Sequence, residues 1–134
     1  MAKIRNFIYC LNVDVVDGRT DIAGVFNVMT PEYIPGLFSF SVSFALVDIS
    51  EGNHEISFIF RNPNSEEVAK IEKAVITYEK DNESNLPDEQ MGMNIAAGMQ
   101  NVNFTMNGIY SMEIIVDNAS AGIFDIYVKG KNCQ

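Results

Sequence analysis

Few residues of this chain are able to carry out covalent or acid–base chemistry. It has one histidine, His54, and two cysteines, Cys10 and Cys133. A Ser-His or Cys-His mechanism needs a nucleophile beside the imidazole and a third group that orients it. His54 follows a Gly-Asn pair at the start of a predicted strand, where an exposed or turn-capping histidine is the usual finding. We therefore expect a protein that is not an enzyme.

Cofactor and metal sites are also not indicated by the residue types. One histidine and two distant cysteines cannot complete a zinc site. No Gly-x-Gly-x-x-Gly loop is present to hold a phosphate. The cysteines are expected to be reduced thiols in a reducing compartment, and the alternative is a disulfide between the tail and the first strand. We expect no cofactor.

Carboxylates are the one abundant reactive group. The chain carries 18 acidic residues against 9 Lys and Arg residues, a formal net charge of −9. If the predicted strands run alternately up and down, most loops that contain acids lie at one end of the fold. Clustered carboxylates raise one another's pKa and attract cations, so this end could bind calcium or a basic partner. We call it the acidic pole, and its candidate residues are Asp17, Asp48, Glu51, Asp81, Glu83, Asp88, Glu89 and Asp117.

The same charge limits the partners that the protein can have. Nucleic acids and anionic membranes would be repelled, and no run approaches the about 20 apolar residues of a membrane-spanning helix. The loops contain no Asp-x-Asp-x-Asp-Gly calcium pattern, so ordinary solvated acids are the alternative to a binding pole. No apolar stretch of signal-peptide length follows residues 1–6. We expect a cytoplasmic protein without direct nucleic-acid or membrane contacts.

The elements that must position these groups are strands. From Phe38 to Leu46 large apolar residues alternate with serine and alanine, which gives a strand one apolar face and one polar face. Residues 66–80 are ambiguous, because apolar residues at helical spacing overlap a β-branched run. We predict a strand there, with a short amphipathic helix as the alternative. The apolar phase changes between Gly98 and Asn101, which indicates a bulge or a tight reversal.

About eight strands with short turns are typical of a sandwich. We predict an all-β, antiparallel two-sheet β-sandwich, immunoglobulin-like or jelly-roll-like, formed by residues 1–134 as a single domain. A proline-containing segment, Thr30 to Gly36, is the predicted crossing between the sheets. The predicted strands include Ile4–Val16, Thr20–Met29, His54–Arg61, Ile109–Val116 and Ile123–Lys129, with Asp17-Gly18 as the first turn.

Turn and core residues occur in a recognisable order along most of the chain. They are Asp17-Gly18, Ile22, Gly24, Phe26, Pro35, Phe40, Gly52, His54, Pro63, Asn94, Phe104, Gly108, Tyr110 and Val116-Asp117. This order resembles an uncharacterised family of small bacterial all-β proteins, a domain of unknown function. The resemblance implies a β-sandwich and no activity, because none is established for that family. The chain departs from the family pattern in its long acidic segment before Met91.

Tyr110 stands two residues after Gly108, as in the tyrosine corner of immunoglobulin-like sandwiches, where the phenol bonds to nearby backbone. A tyrosine near the start of a strand is also commonplace, so this remains one of two interpretations.

The function that these observations favour is a non-enzymatic binding or structural module that acts through protein–protein contacts. One alternative is an acidic inhibitor that mimics the charge of a nucleic acid on a basic partner. Another is a sandwich that binds a cation or ligand at the acidic pole. Exposed strand edges would also allow the chain to pair with a second copy of itself.

Overall fold

The computed structural model describes residues 2–17, 19–83 and 85–133, so Gly18 of the predicted first turn lies outside the described residues. Strands account for most of this part of the chain, and its only helix is a 3-10 turn at Asp88–Gln90. The strands are β1 (Lys3–Val16), β2 (Arg19–Val25), β3 (Val28–Met29), β4 (Gly36–Val47), β5 (Gly52–Arg61), β6 (Glu67–Tyr78), β7 (Gly92–Phe104), β8 (Gly108–Val116) and β9 (Ala119–Val128). The described residues include no apolar helix of membrane-spanning length.

Two sheets form the predicted sandwich, which is confirmed. One sheet has four strands in the order β2-β1-β4-β7, and the other has five in the order β3-β9-β8-β5-β6. The prediction of purely antiparallel sheets is wrong in one place, because β3 pairs with β9 in parallel. The remaining neighbours in both sheets pair antiparallel.

The predicted second strand, Thr20–Met29, is in fact two strands in different sheets. The chain pairs with β1 as far as Val25, crosses to the five-stranded sheet as β3, and returns through a proline-containing segment to β4. The predicted crossing at Thr30 to Gly36 is therefore confirmed, and the crossing before it was missed. Apolar alternation continues through Phe26 and Val28, so the sequence shows no break there. Every strand after this point runs opposite to the direction that simple alternation predicts.

The core lies between the two sheets and is rich in aromatic rings. The apolar face of β4 is buried, with Phe40, Val42 and Leu46 at most 1% exposed. Phe40 contacts Phe60 of the opposite sheet with ring centroids 5.1 Å apart. The opposite face of β4 is less exposed to solvent than predicted, because Ser43 is only 6% exposed. Its small side chain lies between the neighbouring strands that carry Ile8 and Ala96.

Two bulges explain the ambiguous periodicities. Residues 66–80 contain strand β6, as predicted, and its register against β5 shifts around Lys73, whose φ is +50°. The shift places Ile71 and Ala74 on the same face at helical spacing. In β7 the register shifts around Asn101, whose φ is +53°. The predicted phase change near residues 98–101 is therefore a bulge within one continuous strand.

The strand order is that of an immunoglobulin-like sandwich. β9-β8-β5-β6 corresponds to strands G-F-C-C′ and β1-β4-β7 to A-B-E. At the start of β8, the Tyr110 hydroxyl donates to the carbonyl of Met106 at 2.8 Å, which confirms the tyrosine corner. β9 begins at Ala119 rather than at the predicted Ile123. The turn before it consists only of Asp117 and Asn118, both with positive φ, as a type I′ hairpin requires.

Candidate interaction surfaces

The structure gathers most of the acidic pole at one end of the sandwich and excludes Asp17. β1 begins beside the end of β4, where Lys3 pairs with Val47, and we call this the lower end. The loops after β4, β6 and β8 all lie there, and they carry Asp48, Glu51, Asp81, Glu83, Asp88, Glu89 and Asp117. Asp17 follows the other end of the 14-residue β1, so its assignment to this pole is wrong. The missed crossing at β3 caused the error, because it reverses the direction of β4 relative to β1.

His54 lies at this lower end, and its ring forms hydrogen bonds to residues of two loops. Its Nδ1 lies 2.6 Å from Oδ2 of Asp117, and its Nε2 lies 2.7 Å from the carbonyl oxygen of Ser50. Both neighbours are acceptors, so the ring satisfies both only as an imidazolium that donates twice. These bonds raise the pKa of His54, the Asp117 bond most strongly. The pKa of Asp117 is lowered by His54 and by the N–H of Glu55.

This geometry gives His54 a structural role. The ring nitrogens contact a carboxylate and a backbone carbonyl rather than a hydroxyl or thiol group. The depression of about 430 Å³ beside the ring is lined by Asn53, His54, Glu55, Val75, Asp117 and Asn118. Cys10 is buried on β1, where desolvation raises the pKa of its thiol. Both cysteines are free. The sequence did not predict the pairing of His54 with Asp117, because Asp117 lies in a turn 63 residues away along the chain.

Three further acids at the lower end, Glu51, Asp81 and Asp88, also have partners within that end. The ammonium of Lys80 forms an ion pair with Asp88, which raises the pKa of Lys80. The main-chain N–H of Lys80 donates to Glu51 at 3.2 Å, and the N–H of Glu83 donates to Asp81 at 3.0 Å. Within the described ranges, no three His, Cys, Asp or Glu side chains are grouped so that they could hold a metal ion. The acids lie at an end of the sandwich rather than along one face, which is unlike the pattern expected of a charge mimic.

The sheet edges differ in charge. The outer edge of β6 carries Glu67, Lys70, Glu72 and Lys73, with Lys70 paired to Glu72 at 2.7 Å. β2 carries Arg19 and Asp21, and β3 is only two residues long. Charged side chains and a very short strand both protect an edge from pairing with another strand.

β7 is the exception among these edges. Residues 90–112 contain no Asp, Glu, Lys, Arg or His, and this stretch includes the whole 13-residue strand. Along its outer face Asn94, Ala96, Gly98 and Gln100 are exposed. An edge that is long, uncharged and open is the kind that accepts a further strand. This surface is absent from the residues predicted above, and the uncharged run at residues 90–112 was the signal that could have revealed it.

The backbone of β7 offers its hydrogen-bonding groups outward at alternate residues. The N–H of Asp48 donates to the carbonyl of Met91 at 3.1 Å, so Met91 faces β4. In an antiparallel ladder the direction alternates from residue to residue. Asn94, Ala96 and Gly98 therefore direct their N–H and C=O groups away from β4, towards the open edge.

Comparison with known proteins gives a family and several structural neighbours. Residues 6–129 match the model of DUF6941, a family of unknown function, which confirms the resemblance predicted from the turn and core residues. An immunoglobulin-like protein from Pseudomonas aeruginosa is similar at TM-score 0.46 and 11% identity, over 96% of this chain and 97% of that one. No curated protein matches the sequence significantly.

Two larger proteins contain a similar region. An alkylpurine DNA glycosylase from Pseudomonas fluorescens, bound to DNA with an abasic-site analogue, has TM-score 0.48 and 9% identity over 96% of this chain. The match spans 30% of the glycosylase chain. A β-glucosidase from Listeria innocua has TM-score 0.44 and 8% identity over 99% of this chain and 17% of its own.

Proposed function

The chain belongs to the DUF6941 family of unknown function, and from this premise we propose that it is a non-enzymatic protein-binding module. It accepts an extended strand of a protein partner at the open edge of β7. The observation that supports this is the coincidence of an edge position, a length of 13 residues and the absence of charge in one strand.

The binding mode is strand addition. The partner's backbone would bond to the outward groups of Asn94, Ala96 and Gly98, and main-chain bonds of this kind supply affinity in β-augmentation. Side chains on the exposed face of β7 from Ala96 to Gln100 are small or neutral, so a neighbouring strand meets little steric or electrostatic obstacle there. At the start of β7, Asn94 lines a depression together with Asp81 and Leu86 of the β6–β7 connection. Specificity would come from the alternate side chains of the added strand.

The chemistry of the other candidate residues supports the non-enzymatic part of the proposal. Both ring nitrogens of His54 are hydrogen-bonded, one to Asp117 and one to Ser50. The Cys10 thiol is buried and its pKa is raised. Two free thiols suit a reducing compartment, so the proposal includes a cytoplasmic setting in a bacterial cell.

The experiment compares three tagged proteins as bait in an extract of the native cell: wild type, Ala96→Lys and Ala23→Lys. Ala23 is an exposed residue on β2, the opposite edge of the same sheet, so the control places the same charge on a different edge. We expect wild type and Ala23→Lys to retain a protein that Ala96→Lys loses. Amide exchange on the purified complex should then show protection at Asn94, Ala96 and Gly98.

Capture that is equal for all three baits, or a complex that leaves the β7 amides unprotected, would overturn the proposal. Circular dichroism of each bait checks that the substitution has left the strands intact.

A further inference from the structure

We propose that the partner at the β7 edge is a second copy of this chain, paired antiparallel about a two-fold axis near the middle of β7. The inference rests on the proposed function and names its partner. Two four-stranded sheets would join into one continuous sheet of eight strands through an isologous contact, in which the same patch on each copy meets itself.

Self-complementarity is the first argument. An isologous contact places each residue of β7 near a residue of the same strand in the other copy, so a strand with net charge would face its own sign. β7 carries no charge at all. The other long edge strand, β6, carries four charged side chains, and Lys70 is already paired with Glu67 and Glu72 of its own strand. Charged side chains of this kind hinder the addition of a further strand.

The placement of the acids supplies the second argument. Each copy has a net charge of −9, and most of its loop acids lie at the lower end. Antiparallel pairing sends the two lower ends to opposite ends of the joined strands. Thirteen residues span about 43 Å at 3.3 Å per residue. Charges in solution are screened beyond about 10 Å at 0.1 M salt, so the acidic ends would repel one another little.

The middle of β7 also leaves room for a close approach of two backbones. A Cβ atom built at Gly98 would meet only Gln100 at 3.6 Å and Ser41 at 3.9 Å. The neighbours along the exposed face, Ala96 and Gln100, are small or neutral. Nothing in this central stretch shields the edge as Lys70 and its partners shield β6.

The test is the mass of the untagged protein in solution, measured by light scattering over a dilution series. We expect wild type to approach twice the mass of the chain at high concentration. Ala96→Pro removes an outward N–H without breaking the ladder to β4. Because both copies in the dimer carry the substitution, two bonds are lost, and the dissociation constant of the dimer should rise at least roughly 30-fold.

Ala23→Pro is the control, since it puts the same residue at an outward position of β2, and it should leave the dimer intact. If proline at residue 96 prevents folding, Ala96→Lys against Ala23→Lys gives the same comparison with the side chain in solvent.

A wild-type chain that stays monomeric at every concentration would overturn the inference, as would a dimer that survives both changes at residue 96. A monomeric wild type that still captures another protein through an Ala96-dependent edge leaves the proposed function standing and removes only the second copy.

Discussion

β6 and β7 are edge strands on the same side of the sandwich, and they are built alike but charged differently. They have 12 and 13 residues, and each contains a bulge at a residue with positive φ, Lys73 at +50° and Asn101 at +53°. In each bulge the N–H of that residue donates to a serine hydroxyl of the neighbouring inner strand at 2.9 Å, Ser57 in one sheet and Ser39 in the other.

The difference between them lies in the charges. β6 has Lys70 between two glutamates, with Nζ at 3.7 Å from Glu67 and 2.7 Å from Glu72. β7 has no charged side chain. The bulges at Lys73 and Asn101 are equivalent and do not distinguish the two edges. β6 has a second register shift, opposite Phe60 and Arg61, and its charges are the other feature that protects it and that β7 lacks.

Removing the central ion pair of β6 should have the largest effect. The double variant Lys70→Thr with Glu72→Thr leaves only Glu67 and Lys73 charged on this strand, which lowers its protection against strand pairing. A chain with two edges open to pairing forms assemblies larger than a dimer. Light scattering should show a mass that keeps rising with concentration. The control variant, Lys131→Thr with Glu32→Thr, removes an ion pair of 2.9 Å that lies outside both edge strands and should not change the mass. An unchanged mass in the β6 variant would show that the Lys70–Glu72 pair is not what closes this edge.

The lower ends of the two strands should respond differently to pH. Next to β6, His54 and Asp117 form a charged pair, whereas β7 is held by the main-chain bond from Asp48 to Met91. The raised pKa of His54 adds stability that is fully present below its ordinary value of 6.5 and is lost as pH rises through the raised pKa. The lowered pKa of Asp117 adds stability that is present above 3.8 and is lost as pH falls through the lowered pKa.

The His54–Asp117 pair therefore stabilises the fold most between pH 3.8 and pH 6.5. Because the Asp117 side chain is 50% exposed, we expect His54→Gln to reduce the free energy of unfolding by only about 1–2 kcal/mol at pH 6. The reduction should shrink as pH rises above the pKa of His54. Urea denaturation of wild type and His54→Gln at pH 6 and pH 9 measures this difference in the free energy of unfolding. Amide exchange at Met93 of β7 gives the reference value for the strand without the charged pair. A difference that stays constant with pH would contradict the charged pair.

The serine bonds to the bulges should matter equally in the two edges. Ser57→Ala and Ser39→Ala each remove one hydroxyl acceptor, and each should lower the free energy of unfolding by about 1 kcal/mol. Thermal or urea denaturation gives both values. A loss confined to one variant would show that the bulges are not equivalent.

The smallest effect is expected at the bulge residue itself. Asparagine tolerates positive φ better than lysine does, so Lys73→Asn should raise stability by about 0.5 kcal/mol. The reverse change, Asn101→Lys, should lower it by a similar amount, and urea midpoints would measure both. The same sign of change in the two variants would contradict this interpretation of the bulges.

The strands of the fold could largely be predicted from the sequence, because apolar alternation such as that of Phe38 to Leu46 follows directly from burial between two layers. The bulge near Asn101 could also be predicted, since it leaves a phase change in the apolar pattern. β3 could not, because two residues within a continuing alternation carry no signal of a change of sheet. That omission moved Asp17 to the wrong end.

The candidate site depended on information that a single sequence does not hold. Which strands lie at an edge follows from sheet order, and sheet order follows from long-range pairing such as that of β4 with β7. The uncharged run at residues 90–112 was visible, but it is equally expected of a fully buried strand. The contacts of His54 likewise joined turns that are remote along the chain.

The most direct test of the open edge is amide hydrogen exchange of the wild-type protein at low and high concentration. The account predicts that the outward amides of Asn94, Ala96 and Gly98 gain protection as concentration rises, while the amides along the outer edge of β6 do not. Exchange at β7 that is independent of concentration, or protection that rises equally in β6, would contradict it.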